Sequence, residues 1–296
     1  MTNKISRQVS RTFSLLLIVV LLFQLSACSV LKNLPFIDQN SEFQLAEVLF
    51  RVELNHPLSS DSKLMLEILD DVTGVYFNSS RFEMSRDEDL FYSIRLPLKV
   101  STEIKYRSVR VAGSTEYEHD AQDRQVRFRI LRVNGPQILE DHIAGWADDK
   151  YNGPVGGITG QVIDQSNNAP IPNLLITAAG SQAITSSDGT FYLGSIQPGV
   201  HNLVIYSMDG AYSTFQQGAL IAEGASTPVM VRLEKRVLTS VKFEVRLPSG
   251  LNTEMPLRLV SNLLSLGNAY ADLASGSAGS SINYPIMERI SKNRYS

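Results

Sequence analysis

The chain has 296 residues, of which 43% are hydrophobic and 19% are charged. These values are ordinary for a globular protein, so they exclude a wholly disordered chain and a protein that crosses the membrane many times. The formal net charge of −3 argues against a nucleic-acid-binding protein. The single cysteine excludes an intramolecular disulfide and a zinc site built from cysteines. A chain of this length has room for about two domains beyond a targeting segment.

The N-terminus has the pattern of a secretory signal. Lys4, Arg7 and Arg11 precede the apolar run 13–25, which is shorter than the roughly 20 residues that span a bilayer. Small residues follow the run. The pattern predicts an exported protein, and an uncleaved signal anchor is the alternative to a cleaved signal.

The quartet Leu25-Ser26-Ala27-Cys28 resembles the lipobox of bacterial lipoproteins. The resemblance implies a signal peptide over 1–27, acylation of Cys28 as the mature N-terminus, and a tether over 28–44. Residues 1–27 hold three basic and no acidic residues, so 24 basic and 30 acidic residues remain, a net charge of −6. The anchor is therefore lipid rather than a polybasic patch. The implied location is the outer face of a bacterial cell membrane, or the outer membrane where the host has two membranes.

Residues 45–147 contain five runs of alternating apolar and polar residues separated by turn residues: 48–54, 63–69, 91–96, 103–109 and 125–131. Period-2 alternation at hairpin-like spacing, without a long helical period, is typical of an antiparallel sandwich. The sequence therefore predicts an all-β fold of tandem antiparallel β-sandwich domains, the first of them over 45–147.

A run rich in glycine, proline and asparagine interrupts this pattern at residues 148–157 and predicts a linker. A second β segment follows over 158–235. Its strongest turn signal is Asp188-Gly189, which stands between the short apolar runs 183–185 and 191–193 and predicts a hairpin.

The last segment repeats the first. Val241–Leu247 matches Val48–Leu54. Three later residues match residues of the first segment in the same order, namely Leu257 with Leu64, Met287 with Met84, and Tyr295 with Tyr92. Residues 237–296 are therefore predicted to be a truncated second copy of the first domain, which lacks strands needed to close a core. A fragment or an interrupted reading frame is the expected reason.

The second segment resembles the carboxypeptidase regulatory-like domain, a transthyretin-like β-sandwich. The resemblance rests on four motifs along the segment: Gly160–Asp164, Ala169–Pro172, Asp188–Phe191 and Pro198-Gly199. It implies a non-catalytic structural module of the kind that serves as a spacer in surface proteins.

The flanking segments resemble the starch-binding domains of carbohydrate-binding module family 20. The resemblance is carried by Leu90–Pro97 followed by Glu103–Arg107, and by Leu266–Asn268 in the last segment. It implies a sugar site with Tyr76 and Tyr117 as stacking platforms and Lys105 as a donor to sugar hydroxyls. A partly buried sandwich aromatic is the alternative for each tyrosine, and a solvated strand residue is the alternative for the lysine.

Other candidate residues point to structure rather than to chemistry. Trp146 is expected to pack on the first core or between domains, with a ligand platform as the alternative. The acidic run 116–123 has oxygen and imidazole donors, but it lacks the glycine and ligand spacing of a calcium loop, so a charged hairpin tip is favoured over a cation site. The pair Glu140-Asp141 points to opposite faces of a strand and does not form a glycosidase site.

No motif assembles a nucleophile with its base, and none binds a metal or cofactor through a known pattern. The sequence therefore predicts a non-catalytic, lipid-anchored envelope protein without cofactors, whose partners are the membrane and an α-glucan-like polysaccharide bound by the first sandwich. Two alternatives stay open. One is a spacer or adhesion module with protein partners, and the other is the anchoring part of a longer secreted hydrolase.

Overall fold

The computed structural model describes residues 44–69, 79–237, 240–248, 256–259 and 285–296. All helical or extended elements in these ranges are strands, which confirms the all-β prediction. Within the same ranges no helix is long and apolar enough to cross a membrane. Cys28 and Tyr76 lie outside the described residues.

The first sandwich is formed by nine strands that enclose one hydrophobic core. These are β1 Leu45–Leu54, β2 Lys63–Ile68, β3 Ser80–Glu83, β4 Ser85–Arg86, β5 Phe91–Lys99, β6 Glu103–Ala112, β7 Ser114–Tyr117, β8 Arg129–Arg132 and β9 Gln137–Ile143. One sheet has the order β4-β5-β1-β9, and the other has the order β3-β2-β6-β7, with β8 also on β6. The alternation predicted for β1 is observed, since Val48, Phe50, Val52 and Leu54 all lie in the core.

One strand pair in this sandwich is parallel rather than antiparallel. Strand β1 pairs with β5 in the antiparallel sense and with β9 in the parallel sense. The chain crosses from the sheet of β8 to the opposite sheet before it enters β9, so it arrives in the direction of β1. No run was predicted at Gln137–Ile143, because its alternation is mixed with the charged residues Glu140 and Asp141.

Only the C-terminal part of the predicted run 125–131 forms a β-strand. Strand β8 starts at Arg129, whereas Val126 donates its amide to the carbonyl of Glu118 at 2.8 Å. The preceding turn is held by the Asp120 carboxylate, which accepts the amides of Gln122 and Arg124 at 2.9 and 3.0 Å. These hydrogen bonds to a side chain use backbone amides that would otherwise pair in a longer strand.

The second sandwich contains the next seven strands. These are β10 Gly156–Asp164, β11 Leu174–Ala178, β12 Ser181–Ile184, β13 Thr190–Ile196, β14 Gly199–Ser207, β15 Phe215–Ile221 and β16 Ser226–Leu233. Its sheets have the orders β13-β10-β16 and β12-β11-β14-β15. Strands β10 and β16 are parallel, so each sandwich contains one parallel pair.

The turn at Asp188-Gly189 forms, but the predicted hairpin is wrong. The Gly189 amide donates to Ser186 and Gly189 has φ of 73°, as a tight turn requires. The strands on either side belong to different sheets, because β12 pairs with β11 and β13 pairs with β10. Thr185 holds the end of the first strand beside Leu174 rather than beside β13, because its hydroxyl donates to the Ile171 carbonyl and accepts the Leu174 amide.

The last segment reproduces backbone contacts of the first sandwich. It contains β17 Val245–Arg246, β18 Arg289–Ser291 and β19 Arg294–Tyr295 in the order β17-β19-β18. Met287 donates its amide to Leu257 at 2.9 Å, as Met84 does to Leu64 at 2.9 Å. The internal repeat seen in the sequence therefore recurs in the backbone hydrogen bonds of the last segment.

Candidate functional site

Lys105 of the predicted sugar site lies in a contact between the two sandwiches. It is on β6 opposite Ile130 of β8, and only 7% of the residue is exposed. Its Nζ atom is 5.9 Å from the centre of the Phe128 ring. Because Phe128 and Ile130 pack on the second sandwich, this lysine is not presented at an open surface.

Tyr117 ends β7 on the same sheet face as Lys105, opposite Val109 of β6. The guanidinium of Arg107 lies 3.7 Å from the centre of its ring and covers one side of it. Arg107 is itself buried and forms an ion pair with the buried Glu67. The structure thus places Lys105 and Tyr117 on one sheet face, with Lys105 buried and Tyr117 half-buried with one side of its ring covered by Arg107.

A third hydrophobic cluster, which we call the junction core, joins the sandwiches. Leu69, Phe128 and Ile130 come from the first sandwich, and Leu175 and Val204 come from the second. Ile130, Leu175 and Val204 point away from the two main cores, because their strand neighbours fill those cores instead. The junction core therefore buries the outer face of one sheet from each sandwich against the other.

Polar contacts extend the junction core on both sides. The Gln216 side chain accepts the Arg132 amide at 2.8 Å, and the Gln182 side chain donates to the Phe128 carbonyl at 3.1 Å. Thr214 donates to the Glu103 carboxylate at 2.8 Å. Because these partly buried backbone groups are hydrogen-bonded across the junction, separating the sandwiches would leave them without these partners.

A buried charge network lies inside the first sandwich, next to the junction core. Arg129 donates to Glu118 at 2.8 Å and to Asp141 at 2.9 Å, and Tyr106 donates to Asp141 at 2.7 Å. Burial would lower the pKa of Arg129, but attraction to Asp141 and Glu118 outweighs it and raises that pKa. Burial, followed by the Asp141 charge, raises the pKa of Tyr106. The network ties the two sheets together and offers no free nucleophile or base.

A concave surface, which we call the Phe91 groove, lies on the outer face of the other sheet of the first sandwich. It has a volume of about 410 Å³ and is lined by Arg51, Glu53, Phe91, Glu140 and His142, with Asp87 and Glu88 at one end. These side chains share a face because β5, β1 and β9 are neighbours in register. Phe91 is 41% exposed, so an aromatic ring stands open among hydrogen-bonding groups.

The groove meets the second sandwich at a pair of histidines. His142 Nδ1 lies 2.8 Å from Glu53 Oε2, and its ring is 5.2 Å from that of His201 at 68°. His201 is 2% exposed, and its Nε2 is 2.7 Å from the Gln197 carbonyl oxygen. Burial lowers the pKa of His201 to about 4. His201 is therefore neutral near pH 7 and packs in the junction as an uncharged ring.

The acidic run 116–123 forms ion pairs instead of a cation site. Glu118 bonds to Arg129, Asp120 to Arg124, and Asp123 to both His119 and Lys150. Within the described ranges, no group of three or more His, Cys, Asp or Glu side chains is placed to hold a metal ion. Trp146 is buried in the first core.

That Phe91, His142 and Glu53 are neighbours in one groove was not predicted from the sequence. Phe91 and Tyr92 are adjacent aromatics, and alternation alone does not say which of the two faces the core. The structure buries Tyr92 and exposes Phe91. The available signal was on β1, where the charged Arg51 and Glu53 alternate with core residues and mark the outer face.

A family model for the carboxypeptidase regulatory-like domain matches residues 157–234. The chain therefore contains this domain, which confirms the prediction made for the second segment. The starch-binding resemblance of the flanking segments stays a prediction. No curated protein matches the chain.

Several solved structures are similar to the chain at low identity. The Bacillus anthracis TIE protein shares 12% identity at a TM-score of 0.25, over 64% of this chain and 34% of that one. A family 15 glucoamylase from Hypocrea jecorina shares 15% at 0.26, over 34% and 17%. The Streptococcus agalactiae minor pilin GBS52 shares 8% at 0.26, over 66% and 99%. The chain thus spans about a third or less of the first two proteins, and TM-scores of this size carry no functional argument.

Proposed function

We propose that this chain is a non-catalytic structural module of the cell envelope, in which two β-sandwiches act as one rigid unit. The observation that supports it is the junction core, where Phe128 and Ile130 pack against Leu175 and Val204. A flexible pair of domains would show an interface made mainly of polar contacts. Here apolar side chains from both sheets are fully enclosed, so the first sandwich is held in a fixed orientation on the second.

Rigidity can be tested by measuring distances between the sandwiches in solution. Cys28 is the only cysteine, so Cys28→Ser gives a background for spin labels at Arg95→Cys and Arg232→Cys, which are exposed on the first and second sandwich. We expect one narrow distance distribution, and a broader one when Phe128→Ala removes the centre of the junction core. A broad distribution in the parent chain would contradict the proposal.

Lipid anchoring at Cys28 is the second part of this proposal, and it is supported by the lipobox-like quartet that ends at this residue. Two or three acyl chains hold a protein on a membrane without a spanning helix. Growth of an expressing bacterium with an alkyne-labelled fatty acid tests the assignment. The parent chain should take up the label and enter the detergent phase, and Cys28→Ser should do neither. A labelled Cys28→Ser chain would contradict it.

Glycan binding in the Phe91 groove is a second candidate function. It is favoured by one observation, the 41% exposure of Phe91 among charged side chains that are able to hydrogen-bond sugar hydroxyls. Retention on a starch column and titration with maltoheptaose test it. Phe91→Ala should abolish retention, while Tyr117→Ala should keep it, because Tyr117 lies on the other sheet of the first sandwich, away from the groove. The reverse result would move the site to Tyr117, and no retention of the parent chain would rule out starch binding.

A further inference from the structure

Each sandwich contributes one histidine to the contact between them. His142 lies on β9 of the first sandwich and His201 lies on β14 of the second, and their ring centres are 5.2 Å apart at an angle of 68°. Gly199 borders both rings, since a Cβ atom built on it would lie 3.7 Å from each Nε2 atom. The two rings therefore pack against each other across the contact.

The two rings have different surroundings. His142 Nδ1 lies 2.8 Å from Glu53 Oε2, so a positive charge on His142 has a carboxylate beside it. His201 is buried, and its Nε2 atom lies 2.7 Å from the Gln197 carbonyl oxygen. The residue opposite His201 on β15 is the uncharged Ala219. A positive charge on His201 would therefore be enclosed in the contact instead of being solvated.

The charged groups that act on His201 belong to β8 and β9. Arg129 donates to the His142 carbonyl at 3.0 Å, and its positive charge opposes protonation of His201, as a proton on His142 does. Asp141 favours protonation, but this carboxylate already accepts hydrogen bonds from Arg129 and Tyr106. On the other side, His142 lines the Phe91 groove together with the charged residues Arg51, Asp87, Glu88 and Glu140. A proton on His201 thus meets two cations and one carboxylate that is already paired.

Separation of the sandwiches would remove this penalty. His201 would then face water, which stabilises the protonated ring. A group that binds a proton more readily in the separated state shifts the equilibrium toward that state as the pH falls. We propose that the His142–His201 pair is a pH-sensitive switch, which loosens the junction in acid while each sandwich stays folded. The proposal rests on the rigid unit proposed above and adds a means of regulating it.

The size of the effect follows from the two environments of His201. Burial lowers its pKa to about 4 in the closed junction, and in the open junction it takes the ordinary value of 6.5. The ratio of open to closed chains should therefore rise about thirtyfold between pH 7.5 and pH 5. Chemical modification of a cysteine in the junction core measures this ratio, because the reagent reaches the thiol only when the junction is open.

Two neighbouring positions on β14 provide a matched pair for this measurement. Val204 lies in the junction core and Ile205 lies in the core of the second sandwich, so opening of the junction exposes only Val204. Each is replaced by cysteine in the Cys28→Ser chain, and its rate of modification by dithiodipyridine is divided by that of the exposed position Arg232→Cys. Val204→Cys should react faster than Ile205→Cys, and its relative rate should rise about thirtyfold from pH 7.5 to pH 5.

Substitution of the four histidines in two pairs assigns the effect. His142→Gln with His201→Gln should remove most of the acceleration at Val204→Cys, whereas His56→Gln with His119→Gln should keep it. If the first pair also loosens the junction at pH 7.5, the ratio of the rates at the two pH values still reports the titration.

Three outcomes would overturn the proposal. They are an acceleration that persists without His142 and His201, equal rates at Val204→Cys and Ile205→Cys, and no acceleration in a chain whose spin-label distance is narrow. A broad spin-label distance at pH 7.5 would instead overturn the rigid unit on which the proposal rests.

Discussion

His201 makes the stability of the junction dependent on pH. Burial lowers its pKa in the folded chain to about 4, below the ordinary histidine value of 6.5. Between these values the unfolded chain binds a proton that the folded chain does not, so stability falls as the pH drops. The contribution is fully present above about pH 6.5 and is lost as the pH approaches 4.

The size of the effect follows from the two pKa values. One pKa unit corresponds to about 1.4 kcal/mol. Because His201 is protonated more readily in the unfolded chain, the free energy of unfolding should fall by about 2 kcal/mol at pH 5 and by about 3 kcal/mol at pH 4. The groups around the ring are His142, the Gln197 carbonyl, Arg129 and Asp141. A protonated His142 would oppose the charge on His201, and Asp141 would partly stabilise it.

Urea unfolding of the parent chain and of His201→Gln, each at pH 7.5 and pH 5, isolates this contribution. Glutamine keeps a side-chain N–H for the Gln197 carbonyl but does not titrate. The remaining titrating groups are common to both chains, so the difference between their pH responses reports His201 together with its coupling to the neighbouring His142 ring. We expect the parent to lose about 2 kcal/mol more than the variant. Equal losses in the two chains would refute the reasoning.

Two further variants probe the interior that supports the junction. Arg129→Met should lower the free energy of unfolding by about 3–5 kcal/mol, because Glu118 and Asp141 would keep buried charges without their cation. Urea unfolding at pH 7.5 measures this change. Gly180→Ala should cost about 1–2 kcal/mol, because the glycine has φ of 80° and a Cβ there would lie 2.5 Å from a Val126 methyl group across the junction. A change below 0.5 kcal/mol in either variant would contradict the assigned contact.

The alternation of apolar and polar residues correctly predicted which side chains of β1 lie in the core. Val48, Phe50 and Val52 alternate with polar residues and fill the first core as expected. The position of β9 was not predictable in this way, because its parallel pairing with β1 joins residues about 90 positions apart in the sequence. The turn at Asp188-Gly189 shows the same limit, since turn residues specify a reversal of the chain but not the sheet that each strand joins.

The surroundings of Lys105 were not predictable from the sequence for a related reason. Lysine and arginine on a strand are ordinarily read as solvated, because such residues are seldom fully buried without a partner. On β6, Lys105 and Arg107 are nevertheless buried. Arg107 has Glu67 as a partner, and the second sandwich covers the Lys105 end of the face. Neither the ion pair nor the domain contact leaves a periodic signal in the sequence of β6.

In each sandwich, one sheet takes part in the junction and the other sheet has an exposed outer face. The junction core uses the sheet that contains β2, β6 and β8 on one side and the sheet that contains β11 and β14 on the other. Phe91 and Tyr192 stand on the outer faces of the two remaining sheets. Because a sheet face that is buried in a domain contact is closed to a polymer, binding surfaces are expected on these outer sheets. Substitution of Phe91 should then change ligand binding without changing the distance between the sandwiches, whereas Phe128→Ala should change that distance first.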